Sequence, residues 1–214
     1  MRLGLFSRRR WAYFGVTYLY VWSLYAFTNQ STARLANALP LTPLDIAAPF
    51  WPWTGWIYLM VFGLPIFTCL AVEAEEDIRA LALAFAGMAT VCTLVFAGYP
   101  TTYPRPPLGP LTPASLPLAV VRVFDTPRNC FPSQHVANAL LAALFLRRYN
   151  PRRGNAALLL AGLIALSTLT TKQHYFWDVL GGALVACGAY LVAARRAAGG
   201  AAASLSPAAE RVGV

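Results

Sequence analysis

Six long apolar runs constrain the fold of this chain more than any other feature of its sequence. A helix needs roughly 17 to 25 residues to cross about 30 Å of hydrocarbon, and each run approaches or reaches that length. With 58% hydrophobic and 12% charged residues, the chain is too apolar for an ordinary soluble domain of 214 residues. The sequence therefore predicts an all-α integral membrane six-helix bundle, with spans near residues 11–27, 54–72, 78–98, 133–149, 156–171 and 174–194.

The basic residues divide unequally between the two sides of such a bundle. If the N-terminus is cytoplasmic, twelve fall on the inner side and five on the outer side, which by the positive-inside rule predicts that both termini are cytoplasmic. Because the net charge of +9 is spread in this way, we expect no nucleic-acid partner. The inner residues are Arg2, Arg8, Arg9, Arg10, Arg79, Arg147, Arg148, Arg152, Arg153, Arg195, Arg196 and Arg211, and the outer ones are Arg34, Arg105, Arg122, Arg128 and Lys172.

The first apolar run has two interpretations. Arginines precede it and Ala36-Asn37-Ala38 follows it, as in a secretory signal peptide with a small-residue cleavage site. The run is longer than a typical signal core and rich in tyrosine and tryptophan, and the alanine triplet comes late. We therefore expect it to be retained as the first span.

The remaining segments predict a single domain with one long outer loop. Residues 1–198 form the six-span domain, and the small, polar residues 199–214 form a flexible C-terminal tail. Between the third and fourth spans, six prolines from Pro100 to Pro113 exclude a regular helix and predict a stiff, extended loop. The four cysteines are scattered singly, so neither a disulfide framework nor a metal site is predicted.

A rare group of ionisable residues stands at the start of the sixth span. If His174 opens a helix, Asp178 follows at i+4 on the same face, close enough for its carboxylate to bond the imidazole. Such a carboxylate fixes the tautomer of the ring and makes its far nitrogen more basic, which suits a nucleophile or a general base. The alternative is a structural ion pair at a helix start.

The second histidine of the chain opens the fourth span, on the same predicted face of the membrane. Ser133 is a natural N-cap for the helix that His135 enters, and a helix N-terminus also favours phosphate. Arg105 lies in the preceding loop, again on the outer face. Asp45, in the first outer connection, is interpreted as a helix cap or as support for a site. Two histidines, one backed by an aspartate, beside cationic groups are the parts needed for phosphoryl transfer.

At these residues the sequence resembles the type 2 phosphatidic acid phosphatase superfamily, and most closely its branch of inositol phosphorylceramide and sphingomyelin synthases. The resemblance is carried by three segments and by the six-span layout. The segments are Tyr103-Pro-Arg-Pro106, Phe131-Pro-Ser-Gln-His135 and Gln173-His-Tyr-Phe-Trp-Asp-Val179.

The resemblance implies a role for each matched residue. His174 would be the nucleophile, Asp178 its orienting carboxylate, and His135 the acid that protonates the leaving alcohol. Arg105 and Ser133 would hold the phosphate. The implied activity is that of a membrane lipid phosphotransferase or phosphatase, which moves a phospho group from a lipid phosphoester through a phosphohistidine to an alcohol or water, without metal or cofactor.

Two departures from the phosphatase pattern bear on substrate and acceptor. Gly98 stands where a lysine is expected, and Thr168 where an arginine is expected. From their location, Arg128 and Lys172 could replace those cations. The departures favour the phosphotransferase branch over plain phosphatidate hydrolysis.

Two rival functions remain open. One is a metal-dependent hydrolase with His135, His174 and Asp178 as ligands, although no common metal-ligand spacing is present. The other is a transporter, although carriers usually place ionisable residues near the bilayer midplane, not at span ends.

Overall fold

The computed structural model describes the backbone of residues 1–31 and 36–205 and the side chains of residues 1–30 and 36–196. The long helices are α1 (Arg8–Ser31), α3 (Gly55–Ala71), α4 (Glu75–Gly98), α6 (Gln134–Tyr149), α7 (Pro151–Thr170) and α8 (Phe176–Leu205). Shorter elements lie in the connections: β1 (Asn37–Ala38), α2 (Pro43–Ala47), a 3₁₀ turn (Pro52–Thr54), β2 (Thr101–Thr102) and α5 (Leu116–Phe124).

Four helices are long and apolar enough to cross a membrane: α3 with its preceding 3₁₀ turn, α4, α7, and α8 as far as Arg196. The chain is therefore an integral membrane protein. The other two predicted spans coincide in position with α1 and α6, which do not meet the same requirement. α1 begins with three arginines and carries many tyrosines and polar residues, whereas α6 has only 16 residues.

α6 is the central helix of the bundle and packs against α3, α4, α7 and α8. Its alanines at positions 137, 139, 142 and 143 are fully buried, and such small side chains let neighbouring helices approach closely. We call the end of the bundle where α3, α6 and α8 begin the upper end. Because α6 is surrounded, its first residues lie inside the protein at that end.

The segment between α4 and α6 is more structured than the predicted extended loop. It contains the two-residue strand β2, which pairs in parallel with β1, and the nine-residue helix α5. The prolines precede α5, so they restrict the start of the segment and leave 116–124 free to form a helix. At the other end of the chain, α8 continues to Leu205, so the first part of the predicted tail extends this helix, and residues 206–214 lie outside the described part.

Arg10 ties the start of α1 to the end of α3. Its side chain is buried, and its guanidinium donates hydrogen bonds to the backbone carbonyls of Leu3, Gly4, Cys69, Leu70 and Val72. These include carbonyls in the last turn of α3, which a helix leaves without intrahelical donors. α1 also packs along α4, so the helix at the first predicted span is part of the bundle.

Candidate active site

The two histidines of the chain meet at the upper end of the bundle. His135 lies in the first turn of α6 and His174 just before α8, and both are buried. The distance from His174 Nε2 to His135 Nδ1 is 3.4 Å. One phosphorus atom could therefore be reached by both rings.

His174 is held from behind by two acceptors. Its Nδ1 lies 3.0 Å from the carbonyl oxygen of Cys130 and 3.3 Å from Oδ2 of Asp178. Since neither oxygen can donate when Asp178 is ionised, the neutral ring carries its proton on Nδ1 and presents the lone pair of Nε2 toward His135. This arrangement makes Nε2 available as a nucleophile.

Asp178 orients His174 while it caps its own helix. Asp178 has no exposed surface, and its Oδ2 accepts the Tyr175 backbone N–H at 2.8 Å. This is the bond that a carboxylate at the third helical position makes back to the N-cap residue. His174 itself precedes α8. The same geometry therefore fits both interpretations of the pair, a structural ion pair at a helix start and a histidine oriented by a carboxylate.

The turn from α7 to α8 fixes where His174 stands. Lys172 has a φ of 54°, its N–H bonds the Leu169 carbonyl, and the N–H of Gln173 bonds the Thr168 carbonyl. These are the bonds of a Schellman motif, in which glycine is the usual left-handed residue. The His174 N–H also points to the Thr168 carbonyl, at 3.3 Å. Thr168, at the position expected for a family arginine, thus helps to form this turn through its backbone.

Two glycines bring the start of α6 against α8. The Ser133 N–H donates to the Asp178 carbonyl at 2.9 Å, which joins the two histidine-bearing segments directly. A Cβ atom at Gly182 would lie 2.3 Å from the Ser133 carbonyl oxygen, and one at Gly181 would lie 2.6 Å from the Phe131 ring. Only a residue without a side chain allows so close an approach. Ser133 also caps α6, since its Oγ accepts the Val136 N–H at 3.3 Å.

Arg105 is beside the site but engaged with Asp125. Its Nη2 donates to Asp125 Oδ2 at 3.2 Å, its Nη1 donates to the Asp125 carbonyl, and its buried Nε has no partner. Burial raises the pKa of the Asp125 carboxyl, against the opposing effects of the Arg105 guanidinium, the Tyr25 hydroxyl and His174. Asp125 therefore lies within electrostatic range of both Arg105 and His174.

The Arg105 loop is positioned by contacts with the His174 and His135 segments. The rings of Tyr103 and Tyr175 lie 4.4 Å apart, and the Tyr175 hydroxyl donates to the Thr102 carbonyl at 3.1 Å. Thr101 Oγ1 accepts the N–H of Phe131 at 2.7 Å. Three segments that are distant in sequence are thereby fixed to one another.

The other two predicted phosphate-binding cations point elsewhere. Lys172 Nζ donates to the Asp45 carbonyl at 2.7 Å, and burial lowers the pKa of this ammonium. Arg128 Nη1 donates to the Asn29 carbonyl at 3.4 Å. In the part of the chain that the structure describes, neither side chain bonds a histidine. Gly98, the other position at which a family cation is expected, is the last residue of α4.

Arg122 lies in the predicted outer loop, and no function was predicted for it from the sequence. Burial lowers the pKa of Arg122, and the nearby Arg105 guanidinium lowers it further. Its Nη1 donates to the Pro106 carbonyl at 2.8 Å, and its guanidinium stands 5.8 Å above the Phe50 ring. Nε and Nη2 are buried without partners. Arg122 lies near Arg105 only because α5 folds back beside the Arg105 loop. No local pattern in the sequence predicts this proximity.

Aromatic rings from the first two long helices surround His135, a feature not predicted from the sequence. The Tyr58 ring is 4.7 Å from the imidazole, and those of Tyr25 and Phe62 are at 6.2 and 6.3 Å. The Tyr25 hydroxyl donates to Asp125, whereas the buried Tyr58 hydroxyl has no partner. These rings pack around His135 and contribute to its burial.

Asp45 acts as a cap for two helices. Its carboxylate completes a capping box with Thr42 at the start of α2, and its Oδ1 accepts the Phe176 N–H, in the first turn of α8, at 2.7 Å. These contacts agree with the interpretation of Asp45 as a helix cap. The bond to Phe176 also links Asp45 to the turn that carries His174.

One set of side chains could hold a metal ion. Ligand atoms of Cys130, His174 and Asp178 all lie within 4.8 Å of one another. This differs from the predicted rival set, because Cys130 takes the place of His135. Burial raises the pKa of the Cys130 thiol well above its usual value, with further contributions from Asp178 and Asp125, which disfavours the thiolate that a metal would bind.

The structure thus brings together two facing histidines, one of them oriented by a buried aspartate, in a membrane-embedded helical bundle, and such a pair can supply a nucleophile and a proton-transfer group. The model of the PAP2 superfamily matches residues 79–198, which is more than half of the chain. The protein belongs to the PAP2 superfamily, whose members are generally phosphatases or phosphotransferases. No curated protein and no solved structure matches the chain.

Proposed function

We propose that this protein transfers a phospho group from a membrane lipid phosphoester, through a phosphohistidine on His174, to an alcohol or to water. The observation that carries the proposal is the pair of acceptors on His174 Nδ1, which favours the tautomer of the neutral ring whose Nε2 lone pair is directed at the second histidine, 3.4 Å away. A single lone pair aimed into a buried site is what an in-line attack on phosphorus requires.

In the first step, Nε2 of His174 forms a bond to phosphorus while the bond from phosphorus to the lipid alcohol oxygen breaks. His135 gives its proton to that oxygen, so the alcohol leaves neutral. In the second step, His135 takes a proton from the incoming alcohol or water, whose oxygen displaces His174 from phosphorus. Asp178 stabilises the charge that His174 carries between the two steps.

The phosphate would be held by groups near the pair. Suitable donors are the free Nε of Arg105, the unpartnered Tyr58 hydroxyl and the backbone N–H groups of Gln134 and His135 in the first turn of α6. We assign Arg128 and Lys172 to positioning the loops, because their donors bond the carbonyls of Asn29 and Asp45.

We further infer that residues 1–198 form one domain that crosses the membrane six times, with α1 and α6 as the two additional spans. Both termini would be cytoplasmic and the histidine pair would face the outer side, because most arginines lie at the lower end of the bundle. Placement in the inositol phosphorylceramide and sphingomyelin synthase-like branch rests on the resemblance of its motifs and on the absence of both extra family cations at Gly98 and Thr168.

The histidine roles can be separated with two substrates. Purified protein would be given p-nitrophenyl phosphate, whose leaving group needs no proton, and a lipid phosphoester labelled with ³²P. His135→Ala should still release p-nitrophenolate but fail on the lipid, and His174→Ala should fail on both. Labelled, acid-labile protein phosphate should form in the wild type and be absent from His174→Ala. If His174→Ala keeps cleaving the activated ester, the assignment is wrong.

A further inference from the structure

A wide groove lies between α4 and α8 and reaches the lower end of the bundle, opposite the end that holds the histidine pair. Its volume is about 920 Å³. From Arg79 to Val91 along α4 its lining is roughly 18 Å long at 1.5 Å per residue. One leaflet contributes half of the hydrocarbon core, or about 15 Å. The groove therefore has the length of an acyl chain in the leaflet at the lower end.

The upper part of this groove is apolar and open on one side. Leu83, Val91 and Val192 line it and are 46 to 55% exposed, whereas Met88 lines it with no exposed surface. Gly87 lines the same part, and a Cβ atom there would meet nothing within 4 Å. Because α4 and α8 are both long and apolar enough to cross a membrane, the opening faces hydrocarbon. The space suits an acyl chain.

Three arginines from three helices line the groove at its lower end. Arg79 lies in the second turn of α4, Arg148 in the last turn of α6, and Arg196 in the lower part of α8. In the described part of the chain, none of these side chains forms an ion pair or a hydrogen bond. Three positive charges that share one groove without a partner favour the binding of an anion between them.

Two carboxylates also line this end of the groove, those of Glu76 and Asp77. Both lie in the first turn of α4, where the helix dipole favours negative charge. Among the residues that the structure describes, no ion pair joins either of them to an arginine of the groove. Three arginines and two carboxylates leave the lining with a net charge of +1.

We propose that this groove binds an anionic phospholipid from the leaflet at the lower end of the bundle. Its phosphate would lie among Arg79, Arg148 and Arg196, and one acyl chain would lie between α4 and α8. A guanidinium presents N–H donors in a plane that matches phosphate oxygens, and a basic pocket between membrane-spanning helices suits an anionic headgroup. A lipid with one negative charge would neutralise the lining. This lipid is a bound partner, separate from the lipid that reacts at the histidine pair.

A second copy of the chain would fit this groove less well than a lipid. A symmetric pair joined along the groove would bring the same arginines of both copies to the same level of the membrane. Like charges that face each other across an interface are unfavourable. A phospholipid instead supplies negative charge where the arginines are and hydrocarbon where the lining is apolar.

Equilibrium binding tests the inference without depending on turnover. Protein in detergent would be loaded with a fluorescent phosphatidylglycerol, which is then displaced by phosphatidylglycerol, phosphatidylethanolamine or phosphatidylcholine with identical acyl chains. The anionic lipid should bind about fivefold more tightly than either zwitterionic lipid, or better, and added salt should weaken its binding. Arg79→Gln, Arg148→Gln and Arg196→Gln should each weaken phosphatidylglycerol binding about fivefold.

The double variant Arg152→Gln/Arg153→Gln is the matched control for charge. It removes two arginines at the start of α7, at the same end of the bundle, and neither lines the groove. Its affinity for phosphatidylglycerol should stay within about twofold of the wild type. An equal loss in this variant and in Arg148→Gln/Arg196→Gln would overturn the inference, because the lipid would then respond to surface charge in general.

Gly87→Leu tests where the acyl chain lies, because it fills the apolar part of the groove. Gly162→Leu is its control on α7, where a Cβ atom also meets nothing within 4 Å. Only Gly87→Leu should weaken binding, for all three lipids alike. Unchanged binding in Gly87→Leu, or equal affinity of the wild type for the three lipids, would contradict the proposal. A wild-type dimer that Gly87→Leu dissociates and that phosphatidylglycerol leaves intact would identify the groove as a subunit interface instead.

Discussion

Substitution of Gly182 by alanine should damage catalysis through geometry alone. The new Cβ would lie 2.3 Å from the Ser133 carbonyl oxygen, whereas real Cβ atoms keep at least 3.0 Å and usually 3.4 Å. The start of α6 must therefore move by about 0.7 to 1.1 Å, the difference between these distances. Because His135 is two residues from Ser133, the same shift separates it from His174, now 3.4 Å away.

A displacement of about 1 Å can cost a reaction roughly 10²-fold. We expect Gly182→Ala to lower kcat/KM about ten- to one hundredfold, which corresponds to about 1.4 to 2.7 kcal/mol in the barrier. Gly188→Ala is the control on the same helix, because a Cβ there meets nothing within 4 Å. It should leave activity unchanged and could raise Tm slightly, since alanine favours helix by up to about 1 kcal/mol over glycine.

The assay is turnover of a labelled lipid phosphoester by both variants, with Tm measured in the same detergent. Full activity in folded Gly182→Ala would refute the claim that this contact sets the histidine distance. An equal loss of activity in Gly188→Ala would mean that any alanine substitution in α8 lowers activity, independently of the contact with Ser133.

Three further outcomes are expected. Asp178→Asn should fold and lower kcat by roughly 10²- to 10⁴-fold, because His174 loses its orienting charge, and unchanged turnover would contradict this role. Activity should survive both EDTA and Cys130→Ala, whereas loss in EDTA with recovery in zinc would favour the metal-dependent rival. Lys172→Gly should keep activity within about threefold, because the Lys172 ammonium bonds the Asp45 carbonyl and glycine suits a φ of 54°. A much larger loss of kcat at unchanged Tm would support a role of Lys172 in phosphate binding.

Features encoded within a few residues were the most predictable from sequence. The long helices lie close to the apolar runs, because a long apolar run predicts a helix from local sequence. Ser133 caps α6 and Asp178 lies against His174 for the same local reason, since caps and i, i+4 neighbours involve one helical turn. α5 departs from the predicted extended loop, because the six prolines from Pro100 to Pro113 all precede it.

Contacts between distant segments could not be predicted in the same way. Nothing near Arg105 in sequence indicates that Asp125, twenty residues later, occupies its guanidinium. The need for glycine at Gly182 arises from the approach of α6, and the Tyr58 ring reaches His135 only after α3 and α6 pack. The sequence puts Lys172 between the fifth and sixth predicted spans, but the direction of its side chain depends on where α2 lies.

If α6 crosses the membrane as proposed, its shortness sets the depth of the histidine pair. Sixteen residues at 1.5 Å span about 24 Å, some 6 Å less than a typical hydrocarbon core. With Arg147 and Arg148 at the lower interface, His135 would stand below the level of the headgroups, beneath the segments that connect the long helices. A lipid would have to sink its phosphoester into the protein to react. Bulk water would then reach the proposed phosphohistidine with difficulty, which favours a lipid alcohol delivered from the bilayer as the acceptor.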